Sequence, residues 1–342
     1  MDRKLGVGIL GTGWVSTEHI KAFEKNPHTR VVAICSRDRA RAEAKRRALN
    51  VLHARAYDDY EQMLQQDDLD IVVICTPHEQ HVEQGVAAAE AGKHIVMEKP
   101  VAITLPSLRQ LDKAVRKNRV KTVVSFVLRW NPMFEWIKSV LAQRLLGNLF
   151  YIEADYIHGI GPEAPTYRWL HLRKHAGTAV LAGGCHAVDA VRWFMQKKAV
   201  EVQGYTCTSK TNPLRYDYPT TSVTLIKFAD GSLGKVTTCF EARCPYTFPV
   251  TILGDEGSIR DNRIATKKWK GQLDWATVPT IRPESGDVTH HPFQGEADHF
   301  VDCILKDRES HCNIADAVQT HEICLATEIS AREHCPVKLP LR

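Results

Sequence analysis

The chain has 342 residues, enough for about two domains and a substantial core, and its 44% hydrophobic and 25% charged content is that of an ordinary globular protein. Its formal charge of +5 is spread over interleaved acids and bases, and the densest basic run, Arg37 to Arg47, is broken by Asp38 and Glu43 and reads as a solvated helix face. This balance does not indicate a nucleic-acid partner, and no apolar run approaches the roughly 18 residues that a membrane span needs. The predicted elements begin with an apolar strand at Leu5 to Leu10, a helix at Val15 to Lys25 and a β-branched strand at Arg30 to Cys35. A charged helix to about Leu49, a helix at Tyr57 to Gln65 and a core strand at Ile71 to Cys75 follow. An alanine-rich helix, Glu79 to Ala91, is capped by Gly92. Next come a strand at His94 to Met97, a helix at Leu105 to Asn118 and a strand at Lys121 to Phe126. Strand–helix units of this length predict a parallel, doubly wound sheet.

After about residue 125 the pattern changes. Strands are expected at Asn148 to His158, Val200 to Thr208, Thr221 to Phe228, Ser232 to Glu241 and Phe248 to Leu253. The turns Ala229-Asp230-Gly231-Ser232 and Gly254-Asp255-Glu256-Gly257 imply hairpins, hence a mostly antiparallel open sheet. Helices are expected at Pro132 to Leu146, Gly183 to Met195, Gly295 to Lys306 and Ile314 to Arg332, with loop from Gly271 to Pro292. The expected class is α/β, with domains at residues 1–125 and 126–342. None of the ten cysteines forms a Cys-x-x-Cys pair, and several lie in apolar runs, which favours free thiols and a reducing, cytoplasmic setting. The N-terminus passes straight into a strand without a signal-peptide pattern.

Gly11-Thr12-Gly13-Trp14-Val15-Ser16 follows a strand and opens a helix, the context of a dinucleotide-binding turn. Gly11 permits the tight turn, and Gly13 lets backbone approach a pyrophosphate seated on the helix N-terminus. The third glycine position is Ser16. At the end of the second strand, where an acid would hold the ribose 2′-OH of NAD, stands Ser36 with Arg37 beside it. A hydroxyl and a guanidinium suit a 2′-phosphate, so the cofactor is NAD or NADP with a lean to NADP. Thr76-Pro77 and Glu98-Lys99-Pro100 end the next two core strands, the edge at which ligands bind in such sheets. His186 and Asp189, three apart on a predicted helix, share a face. Arg129, Tyr156 and Trp169 are further candidates for substrate contact, Trp169 in a loop with Tyr167, His171 and Lys174. No local ligand spacing supports a metal.

The order Gly11-x-Gly13, Thr76-Pro77-x-x-x-His81, Ala91-Gly92-Lys93-His94, Glu98-Lys99-Pro100 resembles the glucose–fructose oxidoreductase/inositol dehydrogenase (Gfo/Idh/MocA) family. The likeness continues in Gly183-Gly184-Cys185-His186-Ala187-Val188-Asp189 and in Cys335-Pro336-Val337-Lys338-Leu339-Pro340, so it covers nearly the whole chain. It implies a Rossmann domain followed by a C-terminal α/β domain, and hydride transfer between a nicotinamide and a sugar, cyclitol or keto-sugar. By the same resemblance Lys99 points at the nicotinamide, Glu98 lies near its ribose, and Thr76, Pro77 and His81 line the cofactor. His186 is the implied general base, Asp189 contacts substrate or the histidine, and the protein is a homodimer or homotetramer. Many relatives carry an aspartate four residues before that histidine, where this chain has Ala182. Two other readings stay open: a glycosidase that oxidises a ring hydroxyl transiently, and a nucleotide-sensing regulator like the yeast galactose repressor.

Overall fold

The computed structural model describes residues 3–342. In chain order the elements begin β1 (Leu5–Leu10), α1 (Ser16–Lys25), β2 (Thr29–Cys35), α2 (Arg39–Ala48), β3 (Arg55–Tyr57), α3 (Tyr60–Leu64), β4 (Ile71–Ile74) and α4 (His81–Glu90). They continue β5 (His94–Met97), α5 (Leu105–Asn118), β6 (Thr122–Val124), α6 (Pro132–Ala142), β7 (Leu149–Ile157), α7 (Tyr167–Leu170), α8 (Arg173–Ala176) and α9 (Cys185–Met195). The last are β8 (Ala199–Cys207), β9 (Thr221–Phe228), β10 (Leu233–Cys239), β11 (Val250–Gly254), β12 (Gly257–Arg260), β13 (Arg263–Thr266), β14 (Ala276–Thr277), α10 (Phe293–Leu305), α11 (Ile314–Glu333) and β15 (Val337–Lys338). The chain divides into two compact units: one runs up to Val127 and takes in Pro292–Val318, the other combines Leu128–His291 with Gln319–Arg342.

The first unit is a six-stranded sheet in the order β3-β2-β1-β4-β5-β6, parallel throughout. All four residues of β4, Ile71 to Ile74, are fully buried, as a strand covered by helices on both faces requires. Caps set the helix starts: Asp38 accepts from Ala40 N at 2.8 Å, and Asp59 from Gln62 N at 3.1 Å. The returning segment completes this unit. Phe293 of α10 meets the His19 ring edge-on at 4.8 Å, and Asn26 donates to Asp298 at 2.7 Å. At the sheet edge, Val124 N donates to the Cys312 carbonyl at 2.8 Å, and Ile314 N to Thr122 Oγ1 at 3.0 Å.

The second unit holds a nine-stranded sheet, β14-β13-β12-β11-β7-β10-β9-β8-β15. Its pairings are antiparallel except β7 with β10. Alternation decides its faces: Val202, Ile226, Val236 and Ile252 are fully buried, while Tyr205, Leu225 and Leu233 point to the opposite face and are exposed. Helix α11 covers the inner face, with Thr224 and Thr327 hydroxyls 3.0 Å apart and Gly204 N donating to Ser330 Oγ at 2.9 Å.

Several expectations need correction. Tyr57 ends an edge strand instead of starting a helix: Cys35 pairs with Tyr57, and the helix begins at Tyr60 behind its Asp59 cap. A three-residue strand is too short to show alternation in sequence. The helix expected to reach Leu146 stops at Ala142, and two residues later Arg144 adopts φ 53°. The expected loop after Gly271 contains β14, paired with β13, and the loop around Trp169 holds two one-turn helices. The short strands β12, β13 and β15 carried no sequence signal.

Candidate active site

Gly11, at φ 105°, occupies a conformation that L side chains rarely adopt, and a Cβ there would lie 2.6 Å from the Cys75 carbonyl oxygen. The Gly11 N–H reaches back to the Cys35 carbonyl at 2.9 Å, so the turn is tied to β2. Gly13 differs: a Cβ there would meet nothing nearer than 4.0 Å. The space over Gly13 is therefore open, beside the first turn of α1, and Val15 at the cap contributes no side-chain hydrogen bond. That arrangement fits a pyrophosphate, which would take the free amides of the helix start. Ser16 Oγ donates to the Gly13 carbonyl at 2.6 Å and fixes the turn's exit. Lys45 of α2 reaches the same carbonyl at 3.1 Å and Thr17 Oγ1 at 2.9 Å, and burial lowers its pKa. Trp14 stands partly exposed at the tip.

At the end of β2 the Ser36 hydroxyl lies 3.3 Å from that of Thr12, joining the two loops expected to hold the adenosine ribose. Arg37 is exposed, and Asp38, the next acid along, is engaged in capping α2.

The ends of β4 and β5 are bound into one buried construction. The His81 ring is fully buried, with Nδ1 2.7 Å from the Pro100 carbonyl and Nε2 2.9 Å from the Thr76 carbonyl. It bolts the loops after β4 and β5 to each other and so positions the backbone of the sheet edge. The Thr76 hydroxyl is likewise taken, donating to Gln84 at 2.5 Å. Glu98 accepts from His19 at 3.0 Å and from the Lys99 N–H at 3.2 Å. Burial would raise the Glu98 carboxyl, but the His19 hydrogen bond and the charges of His19, Lys99 and His81 outweigh it and hold the group below its ordinary value. Lys99 follows, half-buried, at the carboxyl edge of the sheet.

In the second unit, His186 and Asp189 lie in the first turns of α9, after a single π-helical turn at Val180–Gly184. Gly184 makes that approach possible, since a Cβ there would fall 2.0 Å from Thr238 Oγ1. The Tyr156 ring lies 6.3 Å from that of His186, 15° from parallel. Tyr246 meets Tyr156 edge-on at 5.3 Å. Arg129 and Asp189, both expected to contact substrate, pair with each other. Arg129 donates through Nε and Nη2 at 2.7 and 2.6 Å, and Thr320 adds a hydrogen bond to the carboxylate at 3.0 Å. Both side chains are buried, so the pair braces α9. Trp169 is half-buried in α7. Among the described residues no group of three or more His, Cys, Asp or Glu is disposed to hold a metal, and no helix is long and apolar enough to cross a membrane.

Residues 5–126 match the model of an oxidoreductase family with an NAD-binding Rossmann fold, and residues 138–339 match that family's C-terminal alpha/beta domain. The chain belongs to the Gfo/Idh/MocA oxidoreductase family. Among its relatives, an uncharacterized oxidoreductase, YrbE, of Bacillus subtilis is 25% identical over 99% of this chain and 98% of its own. The scyllo-inositol 2-dehydrogenase (NAD(+)) of the same organism is 25% identical over 100% of this chain and 98% of its own. A levoglucosan dehydrogenase solved with NADH and L-sorbose shares the fold at TM-score 0.89, with 22% identity and full coverage of both chains. The protein is an NAD-dependent oxidoreductase of the dehydrogenase class.

Within this Gfo/Idh/MocA chain, sequence reasoning missed His19, Lys45, Tyr246, Glu296 and Thr320. Glu296 had a signal. It falls on the apolar stripe Phe293, Ala297, Phe300, Val301 of its helix, where a carboxyl is out of place. The others reach the site from distant segments and carried none.

Proposed function

We propose that the protein transfers a hydride between NAD(P) and a hydroxyl or carbonyl carbon of a sugar, cyclitol or keto-sugar. The observation that carries this reading is Lys99 at the carboxyl edge of the same parallel sheet whose Gly11–Gly13 turn is open for a pyrophosphate. The relatives named above, which act on an inositol and on levoglucosan, supply the substrate class. Bound nicotinamide would accept or give the hydride. Lys99 orients the substrate hydroxyl through its ammonium, and the imidazole of His186 takes or returns the hydroxyl proton. Ala182 leaves no carboxylate four residues before His186 to relay that proton further. Ser36 and Arg37 favour a 2′-phosphate, because the nearby acid, Asp38, is engaged in its cap.

The protein assembles as a homo-oligomer through the open face of its nine-stranded sheet, where Tyr205, Leu225 and Leu233 are exposed. Its ten free cysteines suit the reducing cytoplasm.

The test is a panel of sugars and cyclitols with NAD and with NADP, read at the absorbance of the reduced nicotinamide. A polyol that reduces the cofactor supports the reading, and Lys99→Ala lowers turnover roughly 10²- to 10⁴-fold while cofactor binding persists. Unchanged turnover in Lys99→Ala removes the lysine from the chemistry. Release of a sugar from a glycoside without net cofactor reduction would identify the transient-oxidation cycle instead.

A further inference from the structure

The chain's return to the nucleotide-binding unit delivers one carboxyl to an unusual place. Glu296, on α10, is 1% exposed, and its Oε1 accepts from Ser125 Oγ at 2.9 Å. Its Oε2 is buried without a hydrogen-bond partner among the described residues. Ser125 itself follows β6, tied by its N–H to the Met97 carbonyl at 2.9 Å, one residue before Glu98. The titratable groups that interact electrostatically with Glu296 are His19 from α1, Cys75 after β4 and Glu98 after β5. Two carboxyls and one imidazole thus act on one another electrostatically, and His19, itself buried, already hydrogen-bonds Glu98. A buried carboxylate oxygen without a donor is costly as an anion.

We propose that Glu296 is a positioning residue that holds a proton while the cofactor site is competent, leaving His19 to Glu98, which in turn fixes the backbone of Lys99. Ionisation of Glu296 puts a second negative charge beside His19, draws it from Glu98 and loosens the Glu98–Lys99 segment. Burial raises the Glu296 carboxyl to about 7, the Glu98 charge adds to the rise, and His19 and Ser125 offset part of it. The loosening therefore falls within the physiological range. The role rests on the reading above, in which Glu98 and Lys99 serve the nicotinamide end of the cofactor.

The experiment compares the full-length wild type with Glu296→Gln, which mimics the protonated acid. Two quantities are followed from about pH 6 to pH 9: thermal stability without cofactor, and NADH and NADPH affinity by fluorescence. In the wild type stability falls as pH rises toward about 7 and is level above it, while affinity falls as pH rises through about 7, by about fivefold or more. In Glu296→Gln both stay level over that window. Ser125→Ala, which removes a hydrogen bond that favours the anion, moves the wild-type inflection to higher pH and serves if the glutamine variant fails to fold. Matching pH profiles in wild type and Glu296→Gln, or an inflection unmoved by Ser125→Ala, overturn the proposal. If stability changes as expected while affinity does not, Glu296 holds its proton but does not position the site, and the proposal fails in that half. Neither readout needs a substrate, so failure to find any oxidised polyol would count against the hydride-transfer reading alone.

Discussion

Arg129 grips both oxygens of the Asp189 carboxylate, at 2.6 and 2.7 Å, inside the unit that carries His186. Arg192 lies within 3.6 Å of the same carboxylate, and the Arg129 guanidinium sits 5.3 Å from the Trp193 ring centre. Asp189 is thus the anionic centre of a buried cluster that sets the start of α9. It stands three residues after His186 on the same helix. Removing the carboxylate leaves Arg129 buried without its main counter-charge. Asp189→Ala is expected to lose about 3–5 kcal/mol of stability, seen as a lower urea midpoint. A midpoint within a few tenths of a kcal/mol of wild type would show that the pair is not structural.

The two glycines of the nucleotide turn should fail in different ways. Gly11→Ala forces a Cβ to 2.6 Å from the Cys75 carbonyl at φ 105°, so the fold loses stability. Gly13→Ala meets only open space in the protein, so its thermal midpoint should stay near wild type. Its methyl occupies the room a pyrophosphate needs, and NADH affinity should fall tenfold or more, on the order of 1.4 kcal/mol. Fluorescence titration beside thermal unfolding separates the two outcomes. Equal NADH affinity in Gly13→Ala would move the phosphate elsewhere.

Glu98 gives an acid-side signature. Its folded pKa lies below the ordinary 4.5, so the ionised form favours the folded state. That contribution is fully present above about pH 4.5 and is lost as pH falls through the lower, folded value. Denaturation below pH 4.5 should therefore be steeper in wild type than in Glu98→Gln, measured as the urea midpoint against pH. The same slope in both would assign the acid sensitivity to other carboxylates.

His81 sits between two acceptors, the carbonyls of Thr76 and Pro100, and a neutral imidazole donates to only one of them. Burial drives its pKa down, against the pull of both carbonyls and of Glu98 and Glu79. His81→Ala leaves buried carbonyl oxygens without their donor and should cost about 1–3 kcal/mol by chemical denaturation. Because the bolt joins the loops bearing Thr76 and Glu98-Lys99-Pro100, cofactor affinity should drop as well. Full affinity with reduced stability would confine His81 to the fold.

The nucleotide-binding half was legible because its signals are local: Leu5 to Leu10 and Ile71 to Cys75 are continuous apolar runs, and Gly11-x-Gly13 falls between a strand and a helix. The short strands Arg55–Tyr57 and Ala276–Thr277 were not, because edge pairing rather than alternation makes them strands. The motif residues were likewise visible, but motif membership did not separate groups that touch ligand from groups that hold the motif in place. That His81 and Asp189 hold structure in place was not legible, because their partners lie 19 and 60 residues away along the chain. Glu296 carried a local signal, a carboxyl on an apolar stripe, but not the identity of its partner Ser125, 171 residues upstream.

The bonds from Val124 to Cys312 and from Ile314 to Thr122 carry a consequence for biogenesis. During translation, the first 127 residues leave the ribosome with the edge of β6 uncovered and with Ser125 lacking its Glu296 partner. They wait for some 165 further residues before Pro292–Val318 closes them. The nascent nucleotide-binding unit thus exposes a strand edge, open to non-native pairing, throughout synthesis of the other sheet.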